Sequence, residues 1–129
     1  MAGKRIRTVR ILLVDDDSLL RRLARAYAVE AGCDDVVEAG DGAEAVQAIR
    51  EQPFDLVVID YVMPHLNGVR ALAEILAVRP ETRVVAWTSM LDPAIEQAFL
   101  DAGAARRIAK LDTDALREEL AGAAHARVA

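Results

Sequence analysis

Three short apolar runs in this chain end in groups that can bind a cation or a phosphoryl oxygen. Ile11-Leu12-Leu13-Val14 runs into Asp15-Asp16-Asp17, Leu56-Val57-Val58-Ile59 into Asp60, and Val84-Val85-Ala86-Trp87 into Thr88-Ser89. An apolar run of this length bounded by turn signals reads as a buried parallel strand. If the three are neighbours, four carboxylates and two hydroxyls gather at one sheet edge, the edge where open α/β sheets bind ligands. Anions that close repel one another, so either their pKa values rise or a cation sits among them. Carboxylates with a carbonyl and water suit a hard divalent ion, Mg²⁺ first and Mn²⁺ as the alternative. A strand-end aspartate beside such an ion can attack a phosphoryl group and form an acyl phosphate. That transfer needs mostly positioning and charge neutralisation.

The elements that must carry these groups are legible in order. The first strand is expected over about Val9 to Val14. Asp17 or Ser18 then caps a helix, with Asp17 preferred, and Leu20, Leu23, Ala24, Tyr27 and Ala31 recur at helical spacing until Gly32. Val36-Val37 is a short strand, and Asp41-Gly42-Ala43-Glu44 has capping-box spacing before a helix with Val46 and Ile49 inward. After the strand that ends at Asp60, a loop with Pro64 leads to a helix starting near Asn67-Gly68 and carrying Leu72, Ile75 and Leu76 as far as Pro80. The strand Arg83 to Trp87 is followed by Asp92-Pro93, a cap with Pro at the first helical position, and by Ile95 and Phe99 facing inward up to Gly103. Ile108 marks a fifth strand, and Asp112 or Thr113 caps a last helix through Leu116 and Leu120. Five alternations of strand and helix imply an α/β fold, a parallel sheet with helices on both faces and right-handed crossovers.

Composition narrows the class. The chain has 129 residues, enough for one domain with a real core, and 53% hydrophobic residues argue against disorder. Its net charge of −5 argues against direct nucleic-acid binding by the whole domain. A single cysteine, Cys33, excludes an internal disulfide and fits a cytoplasmic setting. No apolar run approaches a membrane span, and the basic start Lys4-Arg5-Ile6-Arg7 reads as a solvated leader rather than a signal peptide. The expected organisation is one domain, 1–129, with a flexible leader over 1–8, a core over 9–124 and a tail over 125–129.

Taken together, Val14-Asp15-Asp16-Asp17, Ala39-Gly40-Asp41-Gly42-Ala43-Glu44-Ala45, Ile59-Asp60-Tyr61-Val62-Met63-Pro64, Asn67-Gly68, Thr88-Ser89, Ala102-Gly103-Ala104 and Lys110 resemble the receiver domain of two-component response regulators. The resemblance covers nearly the whole chain and implies a stand-alone regulator. It implies a flavodoxin-like, doubly wound (βα)5 three-layer sandwich whose five-stranded parallel sheet has the order 2-1-3-4-5. It further implies that Asp60 is the phospho-acceptor, that Asp15, Asp16, Asp60 and the Val62 backbone carbonyl hold Mg²⁺, that Thr88 hydrogen-bonds a phosphoryl oxygen, and that Lys110 supplies a positive charge to it. A histidine kinase or histidine phosphotransfer protein would be the donor. A downstream protein would read the face formed by the fourth helix, fifth strand and fifth helix, about Asp92 to Ala123, with phosphorylation-dependent dimerisation as a further option. Such a chain is a phospho-acceptor rather than a turnover enzyme, and neither nucleic acid nor membrane is an expected partner.

Two departures bear on mechanism. The family often has Pro after the lysine in a cis bond, whereas Leu111 stands here. A cis bond before a non-proline costs about 2.5–4 kcal/mol, so a trans bond is expected. The aromatic switch position, three before Lys110, is Arg107, which should not enter an apolar pocket and reads as a partner contact. Val62 and Met90, the positions that tune phosphoryl lifetime, are apolar and predict slow self-dephosphorylation. His65 reads as a loop residue, His125 as an inert tail residue, Cys33 as a small helix-end residue, and Tyr61 and Trp87 as packing. Two other readings compete. One is a receiver-like interaction module that takes no phosphate, motivated by Leu111 and Arg107. The other is a haloacid-dehalogenase-type phosphatase with Asp15 as nucleophile and Asp17 as its partner.

Overall fold

A computed structural model of the chain describes residues 8–89 and 92–126. The leader up to Arg7, Met90 and the last three residues of the tail lie outside the described residues. Five strands alternate with five helices: β1 (Arg10–Val14), α1 (Ser18–Ala31), β2 (Asp35–Ala39), α2 (Gly42–Glu51), β3 (Leu56–Ile59), α3 (Gly68–Val78), β4 (Arg83–Thr88), α4 (Pro93–Ala102), β5 (Arg106–Ala109) and α5 (Thr113–His125). All strand pairs are parallel, and the order is β2-β1-β3-β4-β5, as expected. β1 and β3 are the inner strands of the acid edge, and the register sets Val14 beside Ile59 and Ile59 beside Ala86.

Side chains alternate across a strand, and that alternation divides the core in two. Leu12, Val14, Val57, Ile59, Val84 and Ala86 face Val46, Ile49, Leu72, Ile75 and Phe99 of α2, α3 and α4. Ile11, Leu13, Leu56, Val58, Val85, Trp87 and Ile108 face Ala24, Ala28, Leu116 and Leu120 of α1 and α5. β3 is buried at every position, as a central parallel strand covered on both faces must be. The same parity, carried one residue past each strand end, sends Asp15, Asp60 and Lys110 to the α1/α5 side with Trp87. Thr88 and Arg107 fall on the other side.

Helix ends follow the capping chemistry. Asp17, Asp41, Asn67, Asp92 and Asp112 are the N-caps, each accepting from a backbone N–H of the first turn. Gly32 and Gly103 close α1 and α4 in the left-handed conformation. Three expectations need correction. Leu23 keeps the helical spacing of α1 but is exposed; the stripe that α5 covers is made by Ala24 and Ala28. Glu44 does not reach back to the Asp41 amide, as a capping box would have it, but accepts from Gly40 N at 2.5 Å. His125 is not tail but the last residue of α5.

Candidate functional site

The acid edge forms because the sheet ladder continues past the strand ends. Asp15 N donates to Ala39 O (3.1 Å), Asp60 N to Val14 O (3.0 Å) and Lys110 N to Thr88 O (3.3 Å). Asp15, Asp60 and Lys110, which parity has put on one side of the sheet, therefore meet, with Asp16 beside them. Carboxylate oxygens of Asp15, Asp16 and Asp60 all lie within 4.8 Å of one another. Asp15 and Asp60 are buried, while Asp16 opens to solvent. Hard oxygen donors this close, two held by strand ends and one facing water, suit a divalent ion that keeps part of its hydration shell.

Lys110 reaches into the same cluster. Its Nζ hydrogen-bonds Asp15 Oδ2 at short range and lies 3.5 Å from Asp60 Oδ2. The Lys110–Leu111 bond is trans, as expected, and the lysine still points at the carboxylates. Leu111 itself is 95% exposed. Asp15 Oδ1 accepts from Asp17 N (2.9 Å), and Asp60 Oδ1 from Tyr61 N (2.7 Å). The Asp15 carboxyl is pushed above its ordinary value, first by burial; Lys110 and the Asp17 amide pull it down, and the charge of Asp60 adds the smallest upward push. Repulsion between the acids, the cause anticipated from their number, is thus secondary to desolvation.

The loop after Asp60 is held by close backbone contact. Gly68 N donates to Tyr61 O at 2.9 Å, and a Cβ on Gly68 would stand 2.0 Å from the Asp60 carbonyl oxygen. Asn67-Gly68 therefore serves both as the cap of α3 and as the point where α3 touches the backbone just past β3. Between them, His65 has φ 70° and Leu66 N donates to Pro64 O at 2.8 Å, a three-residue turn. Val62 lies on this loop with its side chain about half exposed.

Of the residues singled out from sequence, Asp15, Asp16, Asp60 and Lys110 come together. Thr88 is fully buried at the end of β4, whereas Ser89 is exposed. Asp17 is spent on capping: its Oδ1 accepts from Leu19 N and Leu20 N. Tyr61 packs edge-on against Phe99, with ring centroids 5.9 Å apart. Cys33 is buried just past α1. Arg107 is a correction. Its Nε donates to Glu96 of α4 (2.8 Å), only 22% of its side chain is exposed, and Nη1 is buried with no partner among the described residues. The arginine does enter the space between α4 and β5, neutralised on one side by Glu96.

Two residues near the edge were not anticipated from sequence. Arg21 Nη1 donates to the Asp15 carbonyl at 2.6 Å while its Nε binds Glu38 at 3.0 Å. Arg25 holds the second Glu38 oxygen at 2.6 Å. No spacing rule links a helical arginine to a carbonyl six residues back. Trp87 was read as packing alone, yet Lys110 Nζ stands 4.4 Å from its ring centroid. Strand parity carried the signal in that case.

Comparison with known proteins agrees with this geometry. The sequence profile of the response regulator receiver domain matches residues 11–121. The chain is 33% identical over 101 residues to chemotaxis protein CheY of Thermotoga maritima, covering 78% of this chain and 84% of that one. It is 42% identical over 99 residues to two-component response regulator ORR41 of Oryza sativa, covering 74% and 78%. The response regulator domain of Thermotoga maritima CheB superposes with a TM-score of 0.81 at 31% identity, over 94% of this chain and 97% of that one. Since that profile spans residues 11–121, the chain belongs to the family of response regulator receiver domains.

Proposed function

We propose that this protein is the phospho-acceptor of a two-component or phosphorelay system, taking a phosphoryl group on Asp60 from a histidine kinase or histidine phosphotransfer protein. The observation that carries this reading is the convergence of Asp60 with Asp15 and Asp16 within 4.8 Å, with the Lys110 ammonium 3.5 Å from Asp60. A carboxylate oxygen of Asp60 attacks phosphorus, the P–N bond to the donor imidazole breaks, and its electron pair stays on nitrogen. Asp15, Asp16, Asp60 and the Val62 carbonyl would hold Mg²⁺, or Mn²⁺ in its place. The ion would neutralise charge on the transferring phosphoryl oxygens. Lys110 brings a second positive charge to the same oxygens, and Thr88, at the end of the neighbouring strand, supplies a hydroxyl hydrogen bond.

The chain then acts stoichiometrically rather than as a turnover enzyme. Phosphorylation shifts an existing equilibrium and alters the α4–β5–α5 face, which a separate protein reads. A phosphorylation-dependent dimer through that face belongs to the same reading, as does a cytoplasmic location. No helix among the described residues is long and apolar enough to cross a membrane. Val62 offers no polar group to orient a hydrolytic water, so the acyl phosphate should persist well beyond seconds. Decay of labelled protein within seconds would contradict that.

The test is intact mass after incubation with Mg²⁺ and acetyl phosphate. The wild type should gain one phosphoryl group, and Asp60→Asn or Mg²⁺ removal should abolish the gain. Retention of the gain in Asp60→Asn would overturn the assignment. The competing phosphatase reading needs Asp17 beside Asp15 in the site, but Asp17 caps α1. The phosphate-free module draws on Arg107 and Leu111; a lysine that reaches Asp60 despite Leu111 removes half of its motive.

A further inference from the structure

We propose that Trp87 is a positioning residue for phosphoryl transfer, its indole face holding the Lys110 ammonium over the acid edge. This rests on the reading of Asp60 as phospho-acceptor. Lysine is a compact charge on a flexible four-carbon stem, so its placement must come from what surrounds it. Three groups surround Lys110 Nζ: Asp15 Oδ2, Asp60 Oδ2 at 3.5 Å, and the Trp87 ring at 4.4 Å from its centroid. The ammonium is 10% exposed with its stem, so solvent contributes little. Leu111, where the resemblance leads one to expect a rigid proline, is 95% exposed and holds nothing in place.

The indole differs from the other two holders in one respect. Both carboxylates belong to the set that would bind the divalent ion, and Asp60 is consumed when it is phosphorylated. The ring face attracts a cation through its quadrupole and competes for neither. It therefore keeps Lys110 at the edge through metal binding and transfer, when Asp15 and Asp60 are otherwise engaged. A second observation separates this role from space filling. Trp87 is 3% exposed, and its Nε1 is buried with no partner among the described residues. Burying an unpaired donor is unfavourable, and Leu or Met would fill the site without it. Parity supplies the cause: Trp87 pairs in register with Ile108, and Lys110 follows on the same face two residues later.

Trp87 is the only tryptophan in the chain, so biosynthetic incorporation of fluorinated tryptophans alters this ring alone. Fluorine drains the ring quadrupole while nearly preserving its shape. The rate of Asp60 phosphorylation by acetyl phosphate with Mg²⁺ should fall stepwise with fluorine number. Trp87→Leu should lower it by about 2- to 30-fold, the range that cation–π attraction spans. In a Lys110→Met background, Trp87→Leu should change nothing further. Lys110 side-chain protons should also show an upfield ring-current shift by NMR that disappears in Trp87→Leu. A flat fluorine series, or a Trp87→Leu loss of equal size in both backgrounds, would show that Trp87 acts by packing and overturn the inference. If the wild type itself takes no phosphoryl group, the functional reading falls and this one with it, a result distinct from a phosphorylated wild type with unaffected variants.

Discussion

Gly68→Ala is the substitution for which the structure fixes both direction and size. An ideal Cβ at this position stands 2.0 Å from the Asp60 carbonyl oxygen, 2.8 Å from its carbon and 2.9 Å from Tyr61 Cα. All three are backbone atoms, so no rotamer change relieves the clash. Ordinary contact begins at 3.4 Å, so α3 and the backbone just past β3 must separate by 3.4 − 2.0 = 1.4 Å. The Gly68 N to Tyr61 O hydrogen bond, 2.9 Å long, does not survive that displacement. Its loss costs about 1 kcal/mol, and overpacking about 1–3 kcal/mol. Alanine returns up to about 1 kcal/mol of helix propensity. The net is a destabilisation of about 1–3 kcal/mol, or a fall in urea midpoint of roughly 0.5–1.5 M for a slope of about 2 kcal/mol/M. Because the displaced atoms belong to Asp60, phosphorylation should slow as well. Misplacement by about 1 Å can cost on the order of 100-fold. Gly122→Ala is the matched control: its Cβ meets nothing within 4 Å on an exposed stretch of α5. It should raise stability by about 0.5–1 kcal/mol and leave phosphorylation unchanged. A Gly68→Ala protein with wild-type urea midpoint and wild-type phosphorylation rate would refute the reasoning.

Three further outcomes are expected. The Glu38 carboxyl lies below its ordinary value of 4.5; burial raises it, but hydrogen bonds from Arg25 and Arg21 outweigh burial. Its stabilising effect is therefore complete above about pH 4.5 and lost as pH falls through the lowered folded value. The stability gap between wild type and Glu38→Gln, followed by urea titration from neutral to acid pH, should close in that direction, and a gap that widens in acid contradicts this. Arg107→Met removes a buried unpaired nitrogen along with a half-exposed pair to Glu96. A double-mutant cycle with Glu96→Gln should give a coupling no larger than about 1 kcal/mol, and Arg107→Met should cost little or nothing; a loss above about 2 kcal/mol would show a stronger tie. Mg²⁺ titration should change Trp87 emission, since metal at Asp15 draws that carboxylate from the ammonium over the indole. EDTA should reverse the change, and a silent titration would separate Lys110 from the metal site.

Much of this was legible in the residues, and for physical reasons. Short apolar runs bounded by turns read as buried strands, so the strand-end positions of Asp15, Asp60 and Thr88 followed from where the runs stop. Asp17, Asn67 and Asp92 identified helix starts because their side chains satisfy free amides there. Less legible was which part of a helical stripe is covered. Leu20, Leu23 and Ala24 share the spacing of α1, but the position of α5 decides that Ala24 is buried and Leu23 is not. Charge pairing across elements was illegible too: Arg21 on the Asp15 carbonyl and Glu96 beside Arg107 depend on three-dimensional proximity alone. Trp87 lay between these cases. Its side of the sheet could be counted from parity, but an aromatic in a strand is ordinary packing until a cation is seen on its face.

The cluster at the acid edge joins residues from the first strand and from just beyond the last, with Asp15 and Lys110 separated by 95 positions. No contiguous fragment short of the whole sheet contains it. On the ribosome, the aspartates emerge long before the lysine that neutralises them. A chain still being synthesised, or one truncated before β5, carries Asp15 and Asp60 without their Lys110 counter-charge. The neutralised acid edge is thus complete only once the chain has passed the last strand.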